Sequence, residues 1–199
     1  MKHLFLMRHG QTEYNLAHRI QGHCDSPLTE LGIEQARTSA LWLRGERIVP
    51  VRLASSPLPR ATRTLDVVVE VNPGFAALPR TDEDGLIERC YGSFEGGPQA
   101  DLPADPWDPK DALVPYGGDS EAEARERMVA TLTRLMDESD GDVLAVSHGS
   151  VTNLFKKTWE RLARCPQDVA LGNCCVLVFD YDPVAKTFSN TKIMNPVGV

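Results

Sequence analysis

Two short apolar runs that end in the same way constrain the fold of this chain most. One run reads LFLMRHG from Leu4, and the other reads VLAVSHG from Val143. Four consecutive apolar residues between polar ones are typical of a strand buried on both faces, as in a parallel sheet. The pattern therefore predicts two such strands, which place His9 and His148 just beyond their carboxyl ends.

Helical and strand patterns alternate along the rest of the chain. Thr29 is predicted to cap a helix that runs to about Arg44 and stops at Gly45. Residues 51–54 form a predicted strand, and a helix over residues 59–71 follows it. A helix after Ser120, the VLAVSHG strand, a helix to about residue 162 and two final strands complete the pattern. This alternation predicts an α/β three-layer sandwich, with a mostly parallel central sheet and helices on both faces.

The length and composition fit one soluble domain spanning residues 1–199. The chain is 42% hydrophobic and 25% charged, and its formal net charge is −7. This acidic balance argues against a nucleic-acid-binding protein, which would present a basic face. We find no secretory signal and no membrane-spanning stretch. Five cysteines without a disulfide spacing indicate a reducing, cytoplasmic compartment.

The middle of the chain departs from the alternating pattern. Residues 72–119, here called the excursion, are rich in Pro, Gly and Asp and suggest a long path over one edge of the sheet. Residues 90–120 are predicted to act as its lid-like part. Trp107 and Tyr116 are candidates for contact with an uncharged part of a substrate.

Charged and titratable residues converge on one edge of the predicted sheet. Ligands of open α/β sheets bind outside the carboxyl ends of the strands, where His9 and His148 lie. Arg60 falls in the first turn of its helix, where a cation is unfavourable unless an anion binds there. Arg8 supplies a second guanidinium, so the edge predicts a site for a phosphate group. Spacing alone does not decide which histidine would be the nucleophile.

Six segments of the chain together resemble the histidine phosphatase superfamily, also called phosphoglycerate mutase-like. They occur in the family's order, across nearly the whole sequence. The segments are LMRHGQTEYN, RIQGHCDSPLTELGIEQA, ASSPLPRATRT, ERCYGSFEG, PYGGDSEAEARERM and VLAVSHG.

The resemblance implies a role for each matching residue. His9, beside Arg8, is the nucleophile that becomes phosphohistidine, and Glu88 donates a proton to the leaving group. Arg8, Arg60 and His148 bind the phosphate. The remaining residues implied to bind phosphate or substrate are Asn15, Gln21, Gly22 and Gly149. No metal or other cofactor is implied, because the arginines take the place of a cation.

The stretch from Ser93 to Ser120 favours hydrolysis over mutation. Mutases of this family carry a basic stretch there, which recognises a second phosphate, whereas this chain has one basic residue, Lys110, among six acids. We therefore expect a metal-independent phosphomonoesterase, a phosphoric monoester hydrolase acting on a small phosphorylated metabolite. A phosphoglycerate mutase dependent on 2,3-bisphosphoglycerate is the alternative. Sugar phosphates, phosphoglycerates, nucleotide monophosphates and a ribazole phosphate all stay open as substrates.

Two rivals come from other classes of protein. His18, His23 and Cys24 lie close in sequence and would offer soft ligands to zinc in a metal hydrolase, although their spacing matches no common zinc motif. A non-catalytic phospholigand-binding protein would share the fold, but both His9 and Glu88 are present here. Cys90 lies next to the proposed acid, either as a buried thiol or as one exposed at the pocket. We expect no nucleic-acid or membrane partner, and a homodimer stays open.

Overall fold

A six-stranded sheet runs through the centre of the protein, whose computed structural model describes residues 1–196. The strands are β1 (Lys2–Arg8), β2 (Arg52–Ser55), β3 (Arg80–Asp82), β4 (Val143–Ser147), β5 (Val176–Asp182) and β6 (Thr187–Met194). Their order is β3-β2-β4-β1-β5-β6. The first four strands in this order are parallel, and β5 and β6 are antiparallel to their neighbours. The predicted mostly parallel sheet is confirmed.

The register of the central strands aligns the two His-Gly segments. In the parallel pair of β1 and β4, Arg8 lies opposite Ser147, so His9 and His148 each follow the last paired residue. On the other side of β4, Ser55 of β2 lies opposite Val146. Three strand ends therefore meet at one edge of the sheet, as the sequence predicts.

The helices are α1 (Glu13–Leu16), α2 (Glu30–Gly45), α3 (Pro59–Val71), α4 (Glu121–Glu138) and α5 (Gly149–Thr158). Three of the helices, α2, α3 and α4, begin where the sequence predicts them, and α1 is not predicted. The Thr29 hydroxyl accepts the Gly32 N–H at the start of α2, and Ser120 with Glu123 forms the capping box of α4. Within residues 1–196, no helix is both long and apolar enough to cross a membrane.

One predicted helix end is correct to within one residue but has a different cap, and another is wrong. Helix α2 includes Gly45, and the left-handed residue after it is Arg47, with φ of 57°. The Ile48 N–H then donates to the Leu43 carbonyl, which closes the end of α2 without a glycine. Helix α5 ends at Thr158, and a separate 3₁₀ turn covers Glu160–Leu162.

Strand β1 separates two hydrophobic layers. Leu4 and Leu6 pack into one cluster with side chains of α4 and α5. Phe5 and Met7 pack into the opposite cluster with side chains of α2 and α3. Because successive strand residues face opposite sides of a sheet, β1 contributes to both layers, which explains its continuous apolar sequence.

The excursion holds only one short strand, β3, and several 3₁₀ turns among residues 72–119. Its return is fixed by the buried guanidinium of Arg89, whose Nη2 donates to the Lys110 and Asp119 carbonyls at 2.6 and 2.7 Å. Arg127 of α4 forms an ion pair of 2.9 Å with the Asp119 carboxylate. Side-chain donors therefore satisfy backbone carbonyls of the excursion and fix its path, as backbone hydrogen bonds between strands do in the sheet.

We predict that Leu132→Ala in α4 lowers the free energy of unfolding by about 2–5 kcal/mol, because it leaves a cavity under the sheet. Leu132 is fully buried, whereas Leu41 of α2 is 48% exposed and is the matched control. Leu41→Ala should change the free energy of unfolding by less than about 1 kcal/mol. Urea unfolding of both variants measures the difference, and equal losses would contradict the assigned core.

Candidate active site

His9 lies buried at the end of β1, and its environment fixes one tautomer. Its Nδ1 is 2.7 Å from the Gly10 carbonyl oxygen. A carbonyl can only accept, so Nδ1 carries the proton and Nε2 keeps a lone pair. The Gly10 N–H in turn donates to the Thr64 hydroxyl at 3.0 Å, which anchors the turn against α3. When the imidazole is neutral, Nε2 is therefore its one reactive nitrogen.

The neutral state of His9 follows first from burial. Burial lowers the pKa of the His9 imidazole well below its usual value, and the positive charges of Arg60 and Arg8 lower it further. At neutral pH the ring is thus deprotonated and suited to nucleophilic attack.

Two buried guanidinium groups flank His9. The Nη1 of Arg8 donates to the Leu171 carbonyl at 2.9 Å. Arg60 donates to the Cys24 carbonyl at 2.9 Å and to the Gly22 carbonyl at 2.6 Å. Among residues 1–196, nothing accepts from the buried Nε of either arginine. Burial lowers the pKa of Arg60 to about 10, so the group remains a cation at neutral pH.

His148 packs behind His9 as the N-terminal cap residue of α5. The two rings are in edge contact, with centroids 5.2 Å apart. The Nε2 of His148 lies 2.7 Å from the Ser56 hydroxyl, and its buried Nδ1 has no partner in residues 1–196. Burial and the charge of Arg60 lower the pKa of His148 well below its usual value. This ring is therefore neutral as well.

Glu88 is held by the first turn of α5. Its two carboxylate oxygens accept the backbone N–H groups of Ser150 and Val151, both at 3.1 Å, and that of Arg89 at 3.0 Å. A helix N-terminus favours a carboxyl group at this position. The excursion thereby delivers an acid to the edge of the sheet that carries His9.

One cavity collects most of the predicted site residues. Those that line it are Arg8, His9, Asn15, Gln21, Gly22, Arg60, Glu88 and Gly149. His148 does not line this cavity and lies behind His9. Residues that the sequence argument did not assign also line it, namely Arg19, Ile20, Tyr91, Gln99, Pro106 and Ser150. Trp107 lines it too, whereas Tyr116 packs against Phe94 with ring centroids 4.7 Å apart.

Trp107 covers the corner of the cavity that holds Arg8 and Gly149. The Arg8 guanidinium lies 4.6 Å from the centroid of its ring. A Cβ atom on Gly149 would lie 2.8 Å from this ring and 3.2 Å from the Arg8 Nε. Gly149 is therefore required for close approach of the backbone. Only the aromatic character of Trp107 signals this role in the sequence.

The residues of the proposed zinc hydrolase do not assemble as the sequence suggests. Among residues 1–196, the group with metal-ligand geometry is His23 with Cys90 and Glu95, and it includes neither His18 nor Cys24. Cys90 is partly buried rather than fully buried. This cluster lies outside the cavity that contains His9.

Comparison with known proteins places the chain among phosphoryl-transfer proteins. Residues 4–193 match the family model described as "Histidine phosphatase superfamily (branch 1)". A Yersinia pestis relative named "Probable phosphoglycerate mutase GpmB" is 32% identical over 191 residues, covering 91% of this chain and 86% of the relative.

Solved structures agree with this family match. Bacillus stearothermophilus YhfR is 25% identical, with a TM-score of 0.78 and coverage of 94% of both chains. A phosphoserine phosphatase from Entamoeba histolytica, solved with 3-phosphoglyceric acid, is 26% identical with a TM-score of 0.76. That match covers 100% of this chain and 98% of the other.

We predict that the depressed pKa values of His9 and His148 make the protein less stable as the pH falls below about 6.5, the usual value for histidine. The unfolded chain binds protons there, whereas the folded chain does not, so stability is lost as the pH falls toward the folded-state pKa values. His9→Gln removes one of the two groups. Its free energy of unfolding should fall less steeply than that of the parent, by up to about 1.4 kcal/mol per pH unit.

Urea unfolding at pH values from about 5 to 8 measures this difference. Comparing parent and variant cancels the contribution of the other titrating groups. Identical slopes for the two proteins would show that His9 protonates equally well in the folded and unfolded states.

Proposed function

This chain belongs to the histidine phosphatase superfamily, and on that premise we propose that it hydrolyses a small phosphomonoester without a metal ion, through a phosphohistidine on His9. One observation carries the proposal. The His9 imidazole is fixed as a neutral base, with its proton on Nδ1, in a cavity that also holds two buried guanidinium groups and a carboxyl group. These are the groups that transfer of a phosphoryl group to a nitrogen nucleophile needs.

In the first step, the Nε2 of His9 attacks phosphorus, and the bond from phosphorus to the ester oxygen breaks. Arg8 and Arg60 stabilise the charge on the non-bridging oxygens, since each keeps an Nε donor that no residue in 1–196 occupies. The Gly149 backbone takes part as a further phosphate-binding group, whereas His148, which does not line the cavity, contacts the His9 ring from behind. The departing oxygen receives its proton from Glu88 in the carboxylic acid form.

Glu88 is placed to serve in both steps. Each of its oxygens accepts backbone N–H groups and keeps lone-pair capacity for a proton. After the leaving group has departed, the Glu88 carboxylate accepts a proton from water. The water oxygen then bonds to phosphorus, the P–N bond to His9 breaks, and inorganic phosphate leaves.

The lining of the cavity supports hydrolysis over mutation. The excursion contributes Tyr91, Gln99, Pro106 and Trp107, and none of these carries a positive charge. A second phosphate would find only Arg19 beyond the two buried arginines, and that guanidinium already donates to the Gly96 carbonyl. Trp107, which is 40% exposed, instead presents an apolar surface to the uncharged part of the substrate.

Phosphoglycerate mutase activity is the second candidate. The name of the 32% identical Yersinia pestis relative favours it, and so does the position of Arg19 at the cavity. A mutase would have to keep water away from phosphohistidine while a bisphosphorylated intermediate reorients. Substrate turnover distinguishes the two activities.

We predict that the parent releases phosphate from p-nitrophenyl phosphate in the presence of a chelator and that His9→Ala reduces this release to background. Glu88→Gln should lower kcat by about 10²–10⁴-fold, because water then attacks phosphohistidine without the base that accepts its proton. His18→Ala, outside the cavity, is the control and should retain parental turnover. Rapid acid-free quenching with labelled substrate should trap a phosphoprotein in Glu88→Gln and none in His9→Ala.

The same preparations test the mutase alternative with 3-phosphoglycerate as substrate and 2,3-bisphosphoglycerate supplied. Hydrolysis predicts release of inorganic phosphate from one or more phosphomonoesters, with little isomerisation. Isomerisation that is faster than phosphate release would overturn the hydrolase proposal in favour of the mutase. A parent that binds phosphate without either reaction would identify a binding protein.

A further inference from the structure

A second cluster of chemically reactive side chains lies beside the cavity and takes no part in the mechanism above. It consists of His23, Cys90 and Glu95. A ring nitrogen of His23, the Sγ of Cys90 and a carboxylate oxygen of Glu95 all lie within 4.8 Å of one another. The three residues come from two separate segments, one following α1 and the other within the excursion.

The histidine of this cluster has the tautomer of a metal ligand. Its Nε2 lies 2.9 Å from the Glu88 backbone carbonyl, which can only accept, so Nε2 carries the proton. The lone pair is then on Nδ1. Metal-binding histidines typically donate their second ring N–H to a carbonyl or carboxylate in this way. The His23 side chain is also exposed, which gives an ion a route of entry.

The carboxylate of the cluster is held from both segments. Glu95 Oε1 accepts the backbone N–H groups of His23 and Tyr91, each at 3.0 Å. Its second oxygen lies 3.7 Å from the Sγ of Cys24. The position of the carboxylate is thus set before any ion binds, and a second thiol lies next to it.

The thiol of Cys90 makes only long contacts within the protein. Its Sγ lies 3.6 Å from the Gly117 carbonyl, and the Gly92 N–H lies 3.4 Å from the sulfur. A cation can therefore replace the S–H proton without breaking a strong hydrogen bond. That proton passes to solvent, and a sulfur–metal bond forms in its place.

We infer that His23, Cys90 and Glu95 bind a thiophilic divalent cation of the zinc class. Imidazole, thiolate and carboxylate form a donor set that suits Zn²⁺, whereas Mg²⁺ and Ca²⁺ prefer oxygen ligands alone. Three protein ligands leave one position of a tetrahedral ion for water. This site is independent of the proposed hydrolysis, which uses no metal ion.

A bound ion would join the two walls of the neighbouring cavity. His23 follows Gly22, whose carbonyl accepts from Arg60, and Cys90 lies two residues beyond Glu88. The ion would therefore restrain the segment that supports the phosphate-binding arginine relative to the segment that carries the acid. A stabilisation of the folded chain that depends on zinc concentration follows.

The test uses the full chain, stripped with a chelator and then titrated with Zn²⁺ alone in equilibrium dialysis. We expect one ion per chain at micromolar concentration, together with a rise in Tm. Co²⁺ in place of Zn²⁺ should give a sulfur-to-metal charge-transfer band in the near ultraviolet. Cys90→Ser should abolish this band, and His23→Gln should weaken binding at least 10-fold while keeping it. Cys165→Ser is the matched control, because this partly buried thiol instead contacts Asn190.

The outcomes separate this site from the others in the chain. Binding that survives unchanged in both Cys90→Ser and His23→Gln, or that disappears in His9→Ala, would overturn the assignment. Absence of binding to the parent at micromolar Zn²⁺ would also overturn it. Because the exposed His23 makes the second variant independent of packing around Cys90, misfolding of Cys90→Ser leaves the test decisive. None of these readouts requires phosphatase activity, so the two proposals fail separately.

Discussion

The burial of two guanidinium groups beside one imidazole is the constraint to which the rest of the site responds. Removing the charges of Arg8 and Arg60 from water is costly, and the protein offsets this cost with carbonyl acceptors from Gly22, Cys24 and Leu171. Those carbonyls belong to loops, so the arginines also hold the loops in place. The same burial keeps His9 neutral. A cationic pocket can thus exist in a protein whose formal net charge is −7.

Glu88, the proposed acid, is held in place in a different way from the two buried arginines. Glu88 is delivered by the excursion, yet its oxygens are held by the first turn of α5, which begins directly after His148. Residues 148–151 therefore supply the second histidine, the glycine that Trp107 packs against and the two backbone N–H groups that hold Glu88. This connection explains why the VLAVSHG sequence is more informative than its length suggests.

Local signals in the sequence account for the sheet and its caps. The apolar runs predict β1 and β4, and Pro59 predicts the start of α3 because a proline fits the first helical turn. The left-handed residue that closes the end of α2 is not predicted, because Arg47 adopts a conformation that sequence preferences assign to glycine. The position of Trp107 at the cavity and the short distance between His23 and Cys90 both depend on the path of the excursion. That path is set by distant donors such as Arg89, which no local pattern reveals.

The central sheet and the excursion meet at Trp107, and different kinds of hydrogen bond hold these two parts in place. Arg8 and His9 lie at the end of β1, whose parallel register with β4 is fixed by a buried ladder, whereas Trp107 lies in the excursion, which is tethered by a few side-chain hydrogen bonds. Because Gly149 has no Cβ atom, the Trp107 ring can pack directly against the backbone there, next to Arg8. Under the proposed function, selectivity for the leaving group would belong to the excursion, so different loops in its place would change the accepted substrates while the residues around His9 stay constant.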